Sequence, residues 1–170
     1  MSKSYMGIDP GAKGFIAIQT DGEFEHFPLA GLDLYEMADL FTGIKARHPN
    51  IVCVIEDVRA IHGSASTATF SFGMNKGALL ALLCAYRIPY EQVLPQVWQR
   101  AMWTNSDTVT KKAGATEGKR KAIDTKATST NAAKRIFPWL DYRKSEKSRV
   151  IDDNKVDATL LSEYARRRNL

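Results

Sequence analysis

The chain has 170 residues, a formal net charge of +5 and 44% hydrophobic residues, enough for one packed core and too short for two ordinary domains, so residues 1–170 read as a single domain. No apolar run approaches the roughly 18 residues that span a membrane, and nothing apolar follows Met1-Ser2-Lys3-Ser4 as a secretory leader requires. Cys53 and Cys84 each lie in an apolar run without Cys-x-x-Cys spacing, so they read as small core residues of a reducing cytoplasm and give no disulfide or zinc signal.

The first strand runs through Tyr5-Met6-Gly7-Ile8 and stops at Asp9, where Pro10-Gly11 forces a turn. A second strand, Gly14 to Ile18, and a third, Glu23 to Phe27, follow, joined by the hairpin signal Thr20-Asp21-Gly22. His26 on the third strand reads as a surface histidine. Apolar residues at helical spacing predict a helix from Leu32 to Arg47, ended by His48-Pro49. Ile51-Val52-Cys53-Val54-Ile55 is continuously apolar, the pattern of a parallel strand covered on both faces, and it too ends in acids, Glu56-Asp57. Arg59 to Thr69 is rich in Ala, Ser, Thr and Gly and reads as a surface loop. Met74 to Arg87 is apolar almost all round, which predicts a helix largely buried on the sheet, with Gly73 and Gly77 allowing a close backbone approach. Pro89 to Leu94 is a fifth strand, and Pro95 opens a short helix bearing Trp98 and Met102. Thr104 to Thr125 reads as mostly irregular, Lys126 to Phe137 as a helix, and Tyr142 to Arg149 as a basic loop. Asp152-Asp153-Asn154 starts a last helix.

Charge is unevenly placed. Between Lys111 and Arg149 stand twelve Lys/Arg against four Asp/Glu, while the rest of the chain is mildly acidic. Such a segment suits a polyanion, nucleic acid being the commonest, although a solvated loop has the same composition.

Asp9, Glu56, Asp153 and Asp157 stand at the ends or starts of elements, each beside an apolar face. Singly, each has a plain structural role: Asp9 in an Asp-Pro-Gly turn, Glu56 paired with Arg59, Asp153 as a helix cap, Asp157 paired with a nearby base. Jointly they suggest a metal centre. Like charges at i and i+4 destabilise a helix unless a cation lies between them. Oxygen-only ligands suit Mg²⁺ or Mn²⁺, and two such ions can hold the attacking water and the leaving oxygen of a phosphodiester.

Gly7-Ile8-Asp9-Pro10-Gly11, Val54-Ile55-Glu56 and Asp153-Asn154-Lys155-Val156-Asp157-Ala158 resemble, in order and spacing, the motifs of the RuvC family of Holliday junction resolvases. Ala60 to Gly73 and the four-residue spacing of the last two acids are more similar to phage-borne members; bacterial members use a spacing of three, which falls on Asn154. The resemblance implies an α/β, RNase H-like fold: a five-stranded mixed sheet of order 3-2-1-4-5 with helices on both faces. It implies a homodimeric crossover junction endodeoxyribonuclease of the cytoplasm, a phage host's if phage-encoded, that cuts branched DNA symmetrically and leaves 5′-phosphates. Asp9, Glu56, Asp153 and Asp157 would hold two Mg²⁺ ions, with Mn²⁺ as a substitute. Lys76, Lys111, Lys112, Lys119, Arg120 and Lys121 would contact DNA, and Phe70 or Phe72 would wedge into the junction centre unless packed in the core. A flap or fork nuclease, an RNase H and a non-catalytic junction binder are the alternatives. An actin-like nucleotide-binding module needs a second phosphate loop and domain for which the chain is too short, so no nucleotide cofactor is expected.

Overall fold

The computed structural model describes residues 2–11, 13–58, 66–111 and 122–170. Its centre is β1 (Ser4–Asp9), antiparallel to β2 (Phe15–Thr20) and parallel to β4 (Ile51–Glu56). Outside these lie β3 (Glu23–Pro28), antiparallel to β2, and β5 (Tyr90–Val93), parallel to β4. The sheet order is β3-β2-β1-β4-β5, as expected. The β2–β3 turn places Asp21 (φ 50°) and Gly22 (φ 91°) in the left-handed region, the geometry that matches strand twist in a two-residue hairpin.

Strand alternation divides the core into two layers. Met6, Ile8, Cys53 and Ile55 face one side, packed with Phe41 and Ile44 of α1 (Leu34–Arg47) and Leu79 and Leu83 of α2 (Ser66–Ala85). Val54 faces the other, with Trp98 of α3 (Pro95–Met102), Ala132 of α4 (Thr125–Ile136) and Val156, Leu160 and Leu161 of α5 (Asp153–Arg167). Gly7 belongs to this second face, where a Cβ would lie 2.2 Å from the Ala158 carbonyl oxygen and 2.4 Å from the Ser162 nitrogen. By the same period of two, Asp9 and Glu56 point to the α5 side.

Several expectations are corrected. Helix α2 begins at Ser66, eight residues before the expected Met74. Its turns are mostly exposed, with Leu79 and Leu83 the buried hydrophobics and Cys84 on the surface. Apolar residues all round let only one stripe reach the sheet. A Cβ at Gly73 or Gly77 would meet nothing within 4 Å, so the close approach is at Gly7. His26 is half-buried, stacked on Phe24 and bonded to Thr159 Oγ1 at 3.0 Å. Thr159 donates its hydroxyl proton to the Lys155 carbonyl, so His26 Nε2 is the donor. Burial, then the Lys155 charge, lowers its pKa to about 4. Most of residues 59–69, expected as a loop, lie outside the described residues; 66–69 are helical.

The segment just after α3 is tied to α4 by an ion pair whose carboxylate is buried. Asp107, 3% exposed, receives Arg135 Nε at 2.9 Å and Nη2 at 2.8 Å, with the Thr104 N–H and hydroxyl on the same carboxylate. These donors, the Arg135 bond first, lower its pKa to about 2. A depressed carboxylate stabilises the fold above its unfolded pKa near 4 and loses that contribution as pH falls toward 2. Asp107→Ala, which leaves Arg135 only the Met102 carbonyl, is expected to lower stability by about 2–3 kcal/mol and to remove that part of the acid-side slope, read by urea melts between pH 2.5 and 7.

Candidate active site

The parallel register sets the first pair of acids. Ile8 is opposite Ile55, so the next residues, Asp9 and Glu56, leave neighbouring strands side by side on one face. Across that face runs α5. Gly7 lets the helix backbone sit directly on β1, bringing Asp157, one residue before the Ala158 carbonyl that Gly7 meets, to the same strand ends.

Their electrostatics record the convergence. Burial first, then the Glu56 charge and that of Asp152, raise the Asp9 carboxyl to about 7, against one opposing hydrogen bond from the Gly11 backbone. Asp157 is pushed well above the carboxylate range by burial, then by Asp9; Ser129 donates to it, and Glu56 and Asp153 add repulsion. Its Oδ1 is shut off from solvent and has no hydrogen-bond partner. Glu56, 8% exposed, is raised by burial and partly offset by Trp98 and by Lys76. An orphaned carboxylate oxygen among mutually repelling acids is a site short of positive charge, and all-oxygen donors suit a hard divalent cation. Asp9, Glu56 and Asp157 therefore fit such an ion. Among the described residues no three acidic, His or Cys side chains stand close enough to enclose one outright, so ligation requires rotation of these side chains.

The acids at the start of α5 divide their work. Asp152 is the N-cap, its carboxylate accepting from the Asn154 N–H at 3.1 Å and from Lys155 N–H at 3.4 Å, and its charge reaches Asp9. Asp153 is paired with Lys126 at 2.8 Å and reaches Asp157 only through its charge. Sequence reasoning missed Asp152 because three consecutive cap-forming residues do not reveal which one turns toward the strand ends.

Two donors were also missed. Trp98, wholly buried, gives its indole N–H to Glu56 Oε1 at 2.9 Å, and Ser129 bonds Asp157. Neither carries a spacing signal, since both come from elements that pack beneath the acids. Trp98→Phe keeps an aromatic ring and removes the donor. It is expected to weaken any divalent cation held by these acids about 10–100-fold, the usual effect of losing a bond to a ligand. A calorimetric Mn²⁺ titration, with a melting curve in EDTA as folding control, checks it.

Lys76 is paired with Asp57, the residue after Glu56. Phe70 is 68% exposed and Phe72 half-buried, so neither is a core aromatic. Lys111 is exposed; Lys112, Lys119, Arg120 and Lys121 lie outside the described residues. No helix among the described residues is long and apolar enough to cross a membrane.

No family model matches the sequence, and no curated protein matches it significantly. Solved structures do resemble the fold. Thermus thermophilus RuvC in complex with Holliday junction substrate aligns with a TM-score of 0.59 at 12% identity, over 98% of this chain and 96% of that one. A second structure of Thermus thermophilus RuvC aligns at 0.57, also at 12% identity and with the same coverage. The yeast mitochondrial Holliday junction resolvase Ydc2 aligns at 0.55 and 16% identity, over 94% of this chain and 75% of that one. With the sheet order and flanking helices, these likenesses establish an RNase H-like fold.

Proposed function

We propose that this chain is a divalent-metal-dependent endonuclease that resolves four-way DNA junctions by paired phosphodiester hydrolysis. One observation carries the reading: three carboxylates from remote segments, Asp9, Glu56 and Asp157, meet at the strand ends with raised pKa values and an unpartnered Asp157 oxygen. The likeness to RuvC in complex with Holliday junction substrate and to the Holliday junction resolvase Ydc2 directs the choice of substrate.

Asp9, Glu56 and Asp157 would hold Mg²⁺, or Mn²⁺ in its place, with Asp152 and Asp153 contributing charge from the first turn of α5. When bound, two such ions lower the pKa of a water and neutralise charge on the phosphate. The chain's own part is to hold the acids rigidly. Trp98 fixes Glu56 and Ser129 fixes Asp157, while burial raises both carboxyls, and that of Asp9 to about 7, so that a cation binds by displacing protons. Lys76, held by Asp57 beside Glu56, would supply positive charge to a bound phosphate. Lys111 and the following basic residues Lys112, Lys119, Arg120 and Lys121 would grip the arms, and exposed Phe70 would enter the junction centre, with Phe72 behind it. Two symmetric cuts need two sites, hence a homodimer; the surplus apolar surface of α2 from Met74 onward is the face offered for it.

The test is a panel of labelled four-way junctions, forks, flaps and RNA–DNA hybrids, with Mg²⁺ or EDTA, resolved on denaturing gels. Paired nicks in opposing junction strands, 5′-phosphorylated and dependent on Mg²⁺, are expected. Cleavage confined to forks, flaps or hybrids replaces the substrate but keeps the chemistry. Junction binding without any scission leaves a non-catalytic binder.

A further inference from the structure

The segment before α5, expected as a basic loop, is a basic hairpin. Arg143 bridges Ile151, Lys144 N–H donates to the Val150 carbonyl at 3.0 Å, and Ser148 N–H closes the turn onto the Ser145 carbonyl at 3.0 Å. Arg143 forks onto Asp141 at 2.7–3.0 Å and donates to the Glu146 carbonyl at 3.0 Å. That pair is neutral overall and serves to stiffen the hairpin. Lys144, Lys147 and Arg149 are exposed and have no side-chain partner among the described residues, against the single acid Glu146.

The root of the hairpin is tied to the acid site. Asp152 N–H donates to the Tyr142 carbonyl at 2.8 Å, and Asp152 caps the helix whose second turn carries Asp157. Lys155 Nζ, in the first turn, donates to the Asp141 carbonyl at 2.6 Å. A nine-residue hairpin reaches about 13 Å from its base, and successive phosphates of one strand lie about 3.4 Å apart along the duplex axis.

We propose that the hairpin 143–151 is a phosphate clamp: Lys144, Lys147 and Arg149 seat the DNA arm within about four base pairs of the cut phosphate. This rests on the nuclease reading above and adds a contact surface separate from residues 111–121. The occupant is duplex DNA because the cations are free, exposed, of one sign and placed beside the acids rather than on a remote face. A preordered hairpin also binds without the ordering cost that a slack basic tail meets.

The test is the salt dependence of binding to an immobile four-way junction, in EDTA so that no strand is cut. The variant Lys144→Gln/Lys147→Gln/Arg149→Gln leaves every hydrogen bond of the hairpin in place. It is expected to lower the slope of log K against log salt by about 2–3 and to weaken binding more than about tenfold near 100 mM KCl, with an unchanged melting temperature. Lys45→Gln, on α1 across the sheet, is expected to leave the slope unchanged, which separates a local contact from net charge. A parent protein that binds the junction while the triple variant keeps its slope overturns the clamp, as does an equal loss per charge in Lys45→Gln. A parent that binds no branched DNA at all overturns the nuclease reading itself.

Discussion

Replacing Asp9 by asparagine is expected to abolish Mg²⁺-supported scission, by at least ~10³-fold, while junction binding in EDTA persists and the metal-free protein becomes more stable at neutral pH. The two outcomes share a cause. Burial, and then Glu56, raise the Asp9 carboxyl from 3.8 to about 7. A raised carboxyl binds more protons in the folded than in the unfolded state, so stability is greatest below the unfolded pKa and falls as pH rises through the interval to about 7. Glu56 and Asp157 are raised in the same direction, so the slope of the metal-free protein is the sum of several like contributions. Asparagine keeps the size of the side chain and can still accept from the Gly11 N–H, but it carries no charge to desolvate. The interval implies at most about 4 kcal/mol at pH 8, or a melting temperature higher by at most roughly 8–16 °C, shrinking to nothing near pH 4. Mg²⁺ should raise the parent's melting temperature at pH 8 and leave the variant's unchanged. A variant that cuts at the parent rate, or that melts below the parent at pH 8 in EDTA, contradicts the site.

The second large effect is expected at Gly7, which sets the distance between strand and helix. An alanine Cβ would lie 2.2 Å from the Ala158 carbonyl oxygen, 2.4 Å from the Ser162 nitrogen and 2.8 Å from Leu161 Cβ. All are far inside contact distance, and two are backbone atoms that no rotamer change can move. Helix α5 must therefore lift from β1, opening the core around Val156, Leu160 and Leu161. Gly7→Ala is expected to cost about 3 kcal/mol or more, at the upper end of overpacking effects, a drop of roughly 6–12 °C. Activity should fall further than stability accounts for, because Asp157 moves away from Asp9 and Glu56. Gly73→Ala is the control: it meets nothing within 4 Å and exchanges a poor helix former for a good one, worth up to about 1 kcal/mol in its favour. Circular dichroism melts of both variants decide the matter, and equal melting temperatures would refute the close approach.

Much of the fold was legible because it rests on short-range signals. Asp21-Gly22 marks its hairpin, the apolar run from Ile51 to Ile55 its doubly covered strand, and Pro95 the start of α3. The acids at the ends of β1 and β4 were legible too, since a strand that stops at a carboxylate places it at a sheet edge. What was not legible depends on the partner surface. Ser66 to Gly73 form helix with few apolar side chains, so no periodicity announces them. Nothing in the composition of α2 states that Leu79 and Leu83 face inward while Phe70 and Met74 face out. The choice of Asp152 rather than Asp153 as the cap depends on Lys126, which arrives from α4 to hold Asp153. Trp98 was legible only as a helix residue; it is core, and its N–H meets a carboxylate because Glu56 ends the apolar run of β4 within its reach.

The central claim is that remote carboxylates form one cation site, and calorimetric titration of Mn²⁺ into the protein at pH 7 tests it most directly. Run in two buffers of different ionisation enthalpy, it counts protons as well as ions. Saturable binding with release of about one proton is expected for the parent, because the Asp9 carboxyl, raised to about 7, must give up its proton to bind metal, and both the heat and the proton release should be lost in Asp9→Asn. No saturable heat in the parent, or the same binding and proton release in Asp9→Asn, would contradict it.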